Sequence, residues 1–311
     1  SVVTDHAQAP KRLQPSAPAV RVGRMTSLDR RTVLAASLAL SASPSHAQSA
    51  PVARTAYGRV RGAQTGDVLT FKGVRYGAPT MRFQAPARPR SWNGVRDALA
   101  YGAACPQRGL DGEAQSEDCL FLNIWTPSLG GSRPVLVYIH GGAYSTGSGS
   151  SPITDGARLA AHGEVVIVTL NHRLNAFGYC YLAAHGFPDS GNAGQLDLIL
   201  ALEWVRDNIA NFGGDPSCVT VFGQSGGGAK IATLMAMPAA RGLFHRAFTM
   251  SGQQVTASGP LNATRRTAAY LAALGQSTTQ SRELATIPAA RLLDALQTPD
   301  PVLGFGSIYF G

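Results

Sequence analysis

The sequence is short of several things, and each shortage removes a class of function. It has four cysteines in 311 residues and no Cys-x-x-Cys pair, which argues against a zinc site. No basic run is interleaved with aromatics. Outside the first 47 residues the basic side chains are almost all arginines standing singly. That pattern argues against a nucleic-acid surface. Part of the formal net charge of +9 lies in the first 47 residues, where Lys11, Arg12, Arg21, Arg24, Arg30 and Arg31 face only Asp5 and Asp29. No apolar run approaches the ~20 residues that cross a bilayer, so no membrane span is expected. The stretch Ser145-Thr146-Gly147-Ser148-Gly149-Ser150-Ser151 lacks the Lys-Ser/Thr ending of a phosphate-binding loop. It reads instead as a mobile rim. No metal and no cofactor is expected, and no internal repeat is visible. What remains is a chain of ordinary apolar content (44%), long enough for one large domain.

Residues 1–24 are rich in Pro, Ala and Arg without periodicity and read as disordered or as an upstream extension. Met25 looks like a natural start. Asp29-Arg30-Arg31-Thr32-Val33-Leu34 then gives a twin-arginine element, residues 33–42 an apolar run, and Ser45-His46-Ala47 a small-x-small cleavage pattern. Residues 25–47 are therefore expected to be a twin-arginine export signal, and the protein periplasmic or secreted.

From residue 48 onward the pattern is that of alternating strands and helices. Residues 54–62 and 68–73 favour strand. Residues 120–125, 135–139 and 165–170 are continuous apolar runs, as in strands covered on both faces. A small helix is expected over 157–162 and a long one over 193–211, with Leu198, Leu202, Val205 and Ile209 on one stripe. A strand follows at 247–250, then amphipathic helix over 263–297 with a break at Pro288. Short links between strands and helices predict an α/β fold with a mostly parallel sheet and helices on both faces.

The stretch Val219-Thr220-Val221-Phe222-Gly223-Gln224-Ser225-Gly226-Gly227-Gly228 reads as a buried strand, a tight turn and a helix start. The turn matches the G-x-S-x-G nucleophile elbow. A serine hydroxyl is a weak nucleophile and must be pushed out of the sheet toward both base and substrate. Residues two before and two after it then come together, and Gly223 and Gly227 have no side chain to collide. Helical residues 229–237, stopped by Pro238, follow it. Upstream, Ile139-His140-Gly141-Gly142-Ala143-Tyr144 leaves a core strand directly. Small residues there let backbone N–H groups approach a developing oxyanion. His140 is expected to be structural.

Four stretches together resemble the type-B carboxylesterase family, which includes bacterial para-nitrobenzyl-type esterases and cholinesterases. They are Ser116-Glu117-Asp118-Cys119-Leu120-Phe121-Leu122-Asn123, the His140 loop, Ala201-Leu202-Glu203-Trp204-Val205 through Gly213-Gly214-Asp215-Pro216, and the elbow with Gly242-Leu243-Phe244-His245-Arg246. The resemblance implies the α/β-hydrolase fold, a small-molecule ester as substrate, and attack on its carbonyl by Ser225. It implies an oxyanion hole from the N–H groups of Gly142, Ala143 and Gly226. It also implies a Cys105–Cys119 disulfide and two structural ion pairs, Arg82 with Glu117 and Arg173 with Asp197. The alternative it leaves open is a non-catalytic binding protein that keeps the esterase fold.

The chain departs from the family in several places. Gln224 stands where a glutamate is common, Asn175 where a glycine is usual, and the loop around Ala78-Pro79-Thr80-Met81 is short. The last seven residues, Phe305-Gly306-Ser307-Ile308-Tyr309-Phe310-Gly311, drift from the family pattern. A serine hydrolase also needs a base and an orienting acid, which in this fold follow the serine. The only histidine after Ser225 is His245, which the resemblance makes structural. Residues 48–311 are thus expected to form an incomplete α/β-hydrolase domain whose C-terminal portion, with the acid and histidine, is missing.

Overall fold

A computed structural model describes residues 50–252, 257–276 and 283–311. The export-signal features and the 1–24 extension lie outside the described residues. Chain order begins with strands β1 (Val52–Arg54), β2 (Arg59–Arg61), β3 (Ala63–Thr65), β4 (Val68–Arg75) and β5 (Val95–Asp97). Strands β6 (Phe121–Thr126) and β7 (Arg133–Ile139), helix α1 (Ala157–Gly163) and strand β8 (Val166–Leu170) follow. Next come helices α2 (Asn175–Tyr179) and α3 (Ala193–Asn208), strand β9 (Gly214–Gln224), helix α4 (Gly226–Ala236) and strand β10 (Arg246–Met250). Helices α5 (Pro260–Ala273) and α6 (Ala289–Ala295) complete the elements.

Seven strands form the main sheet in the order β10-β9-β7-β8-β6-β4-β3. Neighbours β10–β9, β9–β7 and β7–β8 are parallel, while β6 is antiparallel to both β8 and β4. With β3 antiparallel to β4, five strands point one way and only β6 and β3 oppose them. The sheet is therefore mixed in pairing and mostly parallel in direction. β1, β2 and β5 form a separate small sheet.

Two faces are covered, as the continuous apolar runs require. Val135, Val137 and Ile139 of β7, Val166 and Val168 of β8 and Val219 and Val221 of β9 join the large core with Leu198, Leu202 and Val205 of α3 and Ile231 and Leu234 of α4. The alternate residues Trp125, Leu136 and Ile167 meet Ala157 and Ala160 of α1 on the opposite face. Such alternation is the period-2 geometry of strands. Every residue of β8 is buried, which is why its sequence is a single apolar run rather than an alternating one.

Several expectations are corrected. α3 ends at Asn208 and passes into a 3-10 turn, Ile209–Phe212. Gly213, at φ 77°, then turns the chain into β9, which starts at Gly214. Asn208 causes the early stop: its amide donates to the Trp204 carbonyl and accepts from Ala56 N–H at 2.7 Å. α3 is also buried on more than one stripe, including Gln195 and Asp197. The 145–151 run is held along its length rather than being a loose rim. Ser148 and Ser150 donate to Glu113 at 2.7 and 2.5 Å, and Gly149 N–H donates to Asn171. Helical structure begins at Pro260, ahead of the expected 263, and α5 closes at Leu274–Gly275, where Gly275 has φ 71°. α6 starts directly after Pro288.

Candidate active site

Ser225 sits where β9 ends and α4 begins, with φ 54° and ψ −124°. A non-glycine residue rarely holds that conformation, and it costs on the order of 1–3 kcal/mol. The surroundings leave no alternative. Ser225 N–H donates to Met250 O of β10 at 2.7 Å, and its carbonyl accepts from Ala229 N–H in the new helix. A Cβ on Gly223 would lie 2.8 Å from the Gly227 carbonyl carbon, and one on Gly227 only 2.1 Å from the Ile139 carbonyl oxygen. The two glycines flanking the serine are thus required by the backbone of the turn and of β7.

The hydroxyl of Ser225 opens into a cavity of about 270 Å³ lined by Ala143, Tyr144, Gly226, Ala229, Ser251, Gly252 and Tyr309. Three residues of its wall, Ala143, Ser225 and Ser251, are non-glycine residues at φ 53°, 54° and 54°. Strain gathers where geometry is over-determined. Tyr144 and Tyr309 also line an adjoining cavity of about 250 Å³, together with Tyr179, Tyr181, Gln195 and Arg266.

The loop after β7 presents its N–H groups by engaging its carbonyls elsewhere. A trans peptide points its C=O and the next N–H in opposite directions. The Gly141 carbonyl accepts from His140 Nδ1–H at 2.9 Å, which sets the N–H of Gly142. The Gly142 carbonyl accepts from Thr146 N–H at 3.0 Å and Ser145 N–H at 3.2 Å, which sets the N–H of Ala143. Gly226 packs against this loop so closely that a Cβ on it would fall 2.3 Å from the Ala143 carbonyl oxygen. Among the described residues, no acceptor takes the N–H of Gly142, Ala143 or Gly226. Two of these free donors, those of Ala143 and Gly226, belong to residues lining the serine's cavity, and Gly142 stands one residue earlier on the same loop.

His140 is buried and stacks on His172 with ring centroids 4.8 Å apart. Because Gly141 O can only accept, Nδ1 carries the proton and Nε2 is a bare lone pair. Burial and the nearby Lys230 charge lower the imidazole to about 3. It is a neutral spacer under the loop. Asn175, at φ 45°, replaces the usual glycine without a clash because a short polar side chain tolerates the left-handed region. Its N–H donates to Tyr144 O at 2.7 Å, and its side-chain amide donates to Pro106 O and Ser145 O at 2.9 and 3.3 Å.

The ion pairs lie behind this loop system. Arg173 grips Asp197 through Nε and a terminal nitrogen at 2.9 and 2.7 Å, and both side chains are buried. Arg82 meets both oxygens of Glu117 and reaches the carbonyls of Leu284 and Ile287. Sequence reasoning missed further pairs, among them Arg75–Asp118 and Arg266–Asp300, both at 2.6–2.7 Å. It also missed Lys230, which no chemical motif marks. Cys105 and Cys119, expected to be bridged, are both thiols here. The hydrogen bond with Cys105 and burial push the Cys119 thiol well above its ordinary value. A protonated thiol is a poor nucleophile for disulfide exchange. Cys218 is half-buried and meets Arg246 at 3.4 Å.

No imidazole reaches Ser225 among the described residues. His245 is exposed and accepts from Val219 N–H at 3.2 Å. That places it at the far end of β9 from the serine, roughly 20 Å away at the rise of a strand.

The carboxylesterase family model matches residues 49–309. The chain belongs to the carboxylesterase family. It is 45% identical over 255 residues to the para-nitrobenzyl esterase of Bacillus subtilis, covering 78% of this chain and 52% of that protein. It is 44% identical over 216 residues to the phenmedipham hydrolase of Pseudarthrobacter oxydans, covering 65% of this chain and 43% of that one. A solved Geobacillus stearothermophilus carboxylesterase superposes with a TM-score of 0.77 at 41% identity, over 83% of this chain and 56% of its own. These neighbours establish the α/β-hydrolase fold. The chain spans about half the length of the curated relatives it matches.

Proposed function

We propose that the protein is a carboxylic ester hydrolase that works through an acyl-enzyme on Ser225. The observation that carries this reading is that Ala143 and Gly226 line the cavity of Ser225, and that they and the adjoining Gly142 have N–H groups with no acceptor among the described residues. In the proposed reaction the serine oxygen attacks the ester carbonyl and its proton passes to a general base. The carbonyl oxygen becomes an oxyanion and takes the three N–H bonds. Collapse expels the alcohol and leaves Ser225 acylated, and water then releases the acid. Removing one donor of such a hole typically costs a factor of about 10²–10³.

The base and its orienting acid are proposed to come from residues outside this sequence, since the described residues place neither beside Ser225. Among the described residues no charged side chain lines the serine's own cavity, which favours a small, uncharged ester. We further propose export through the twin-arginine signal, with closure of Cys105 and Cys119 into a disulfide in an oxidising compartment.

The test is labelling by a fluorophosphonate probe, mapped to the peptide that holds Ser225. Labelling abolished in Ser225→Ala supports the esterase. An unlabelled wild type in a full-length form would leave a binding protein that keeps the fold.

A further inference from the structure

Lys230 is a fully buried amine in the second turn of α4. Among the described residues no carboxylate pairs with it. Its Nζ donates instead to two carbonyls, Ala143 O at 2.7 Å and His140 O at 3.2 Å, and lies 5.3 Å from the centre of the Tyr144 ring. Its own backbone carbonyl accepts from Gln195 of α3 at 2.7 Å, which fixes the turn it stands on. A buried amine without a counter-ion is costly, so its retention needs a reason other than stability.

The placement supplies one. The three free donors come from two separate segments: Gly142 and Ala143 from the loop after β7, and Gly226 from the first residue of α4. Lys230 belongs to the second segment and bonds the first. The two carbonyls it takes bracket the donor peptides, one before them and one after. With Gly141 O held by His140 and Gly142 O held by Thr146, four consecutive carbonyls from His140 to Ala143 all have donors. We propose that Lys230 is the positioning residue that ties the two halves of the oxyanion-binding amide set into one rigid unit. This rests on the proposed role of those amides.

The groups facing the amine are His140, His172 and Tyr144. Burial and charge lower His140 to about 3 and His172 well below its ordinary value, and burial raises Tyr144. None of them titrates near neutrality. Burial lowers Lys230 itself to about 7. The neutral amine keeps two N–H groups, enough for both carbonyls.

Two measurements test the assignment on the full chain. In the wild type, the amide resonances of Gly141 and Tyr144, the N–H halves of the two bonded peptides, are expected to titrate together with a midpoint near 7. That titration should be absent in Lys230→Met. A flat response in the wild type, or an equal response in the variant, overturns the proposal. In hydrogen exchange, the N–H groups of Thr146 and Asn175, which hold this loop, should exchange at least tenfold faster in Lys230→Met, while Val168 of β8 keeps its wild-type rate. Wild-type exchange at both residues also overturns it. Fluorophosphonate labelling of wild type and Ser225→Ala is run alongside. Failure of a full-length form, which supplies the base, to label would sink the serine reading, while the wild-type titration still decides the role of Lys230 as a link between the two segments.

Discussion

Replacing Gly227 by alanine tests the elbow at its tightest contact. The added Cβ would sit 2.1 Å from the carbonyl oxygen of Ile139 and 3.1 Å from the carbonyl group of His140. Neither is the end of a flexible side chain. Both are backbone at the end of a central strand, so the start of α4 must retreat by about 1 Å to relieve the clash. Overpacking of this kind costs about 1–3 kcal/mol in a side-chain core, and a backbone obstacle puts the expectation at the upper end. At about 2–4 °C per kcal/mol for a domain of this size, the melting temperature should fall by about 6–12 °C. Gly259→Ala is the control, because a Cβ there meets nothing within 4 Å. Differential scanning calorimetry of the two variants decides the matter. A Gly227→Ala melt within 2 °C of the control, on an approximate scale set by those same slopes, would refute the reading of this turn as one that admits only glycine.

Asp197→Ala strands the buried Arg173 guanidinium, and loss of one partner of a buried pair should destabilise by about 3–5 kcal/mol in urea unfolding. Lowering the pH should destabilise the fold through His140. Its folded value of about 3 lies below the ordinary 6.5, so the unfolded chain binds the extra proton and stability falls from pH 6.5 toward 3. The His140→Asn variant should lose that part of the acid sensitivity, read by denaturant titration across the range; identical slopes would contradict it. Asn175→Gly keeps the left-handed backbone but removes the amide bonds to Pro106 and Ser145. It should cost about 1–2 kcal/mol and speed exchange at Thr146, whereas a more stable variant would show that strain outweighs the clamp.

The fold was legible where one pattern had one physical cause. Residues 135–139 and 166–170 are apolar on both faces because the sheet is covered on both, and Pro238 and Pro288 mark helix boundaries because proline cannot continue a helix interior. The elbow was legible because a strained serine needs glycine on either side. Harder to see were groups whose role depends on what the chain brings beside them. Nothing in the neighbours of Lys230 says that its amine ends against carbonyls 87 and 90 residues upstream. The apolar stripe of α3 says nothing of Asp197, and only the family resemblance paired it with Arg173. The serine-rich run after Tyr144 looked loose because its acceptor, Glu113, is a distant residue.

The most direct measurement is a crystal structure of a full-length form, with the base supplied, after reaction with a phosphonate. The phosphoryl oxygen should lie about 2.7–3.1 Å from the nitrogens of Gly142, Ala143 and Gly226 at once, with phosphorus bonded to Ser225 Oγ. An adduct whose oxygen faces solvent or other groups, or no adduct at Ser225, would contradict the proposal that these amides form the oxyanion hole.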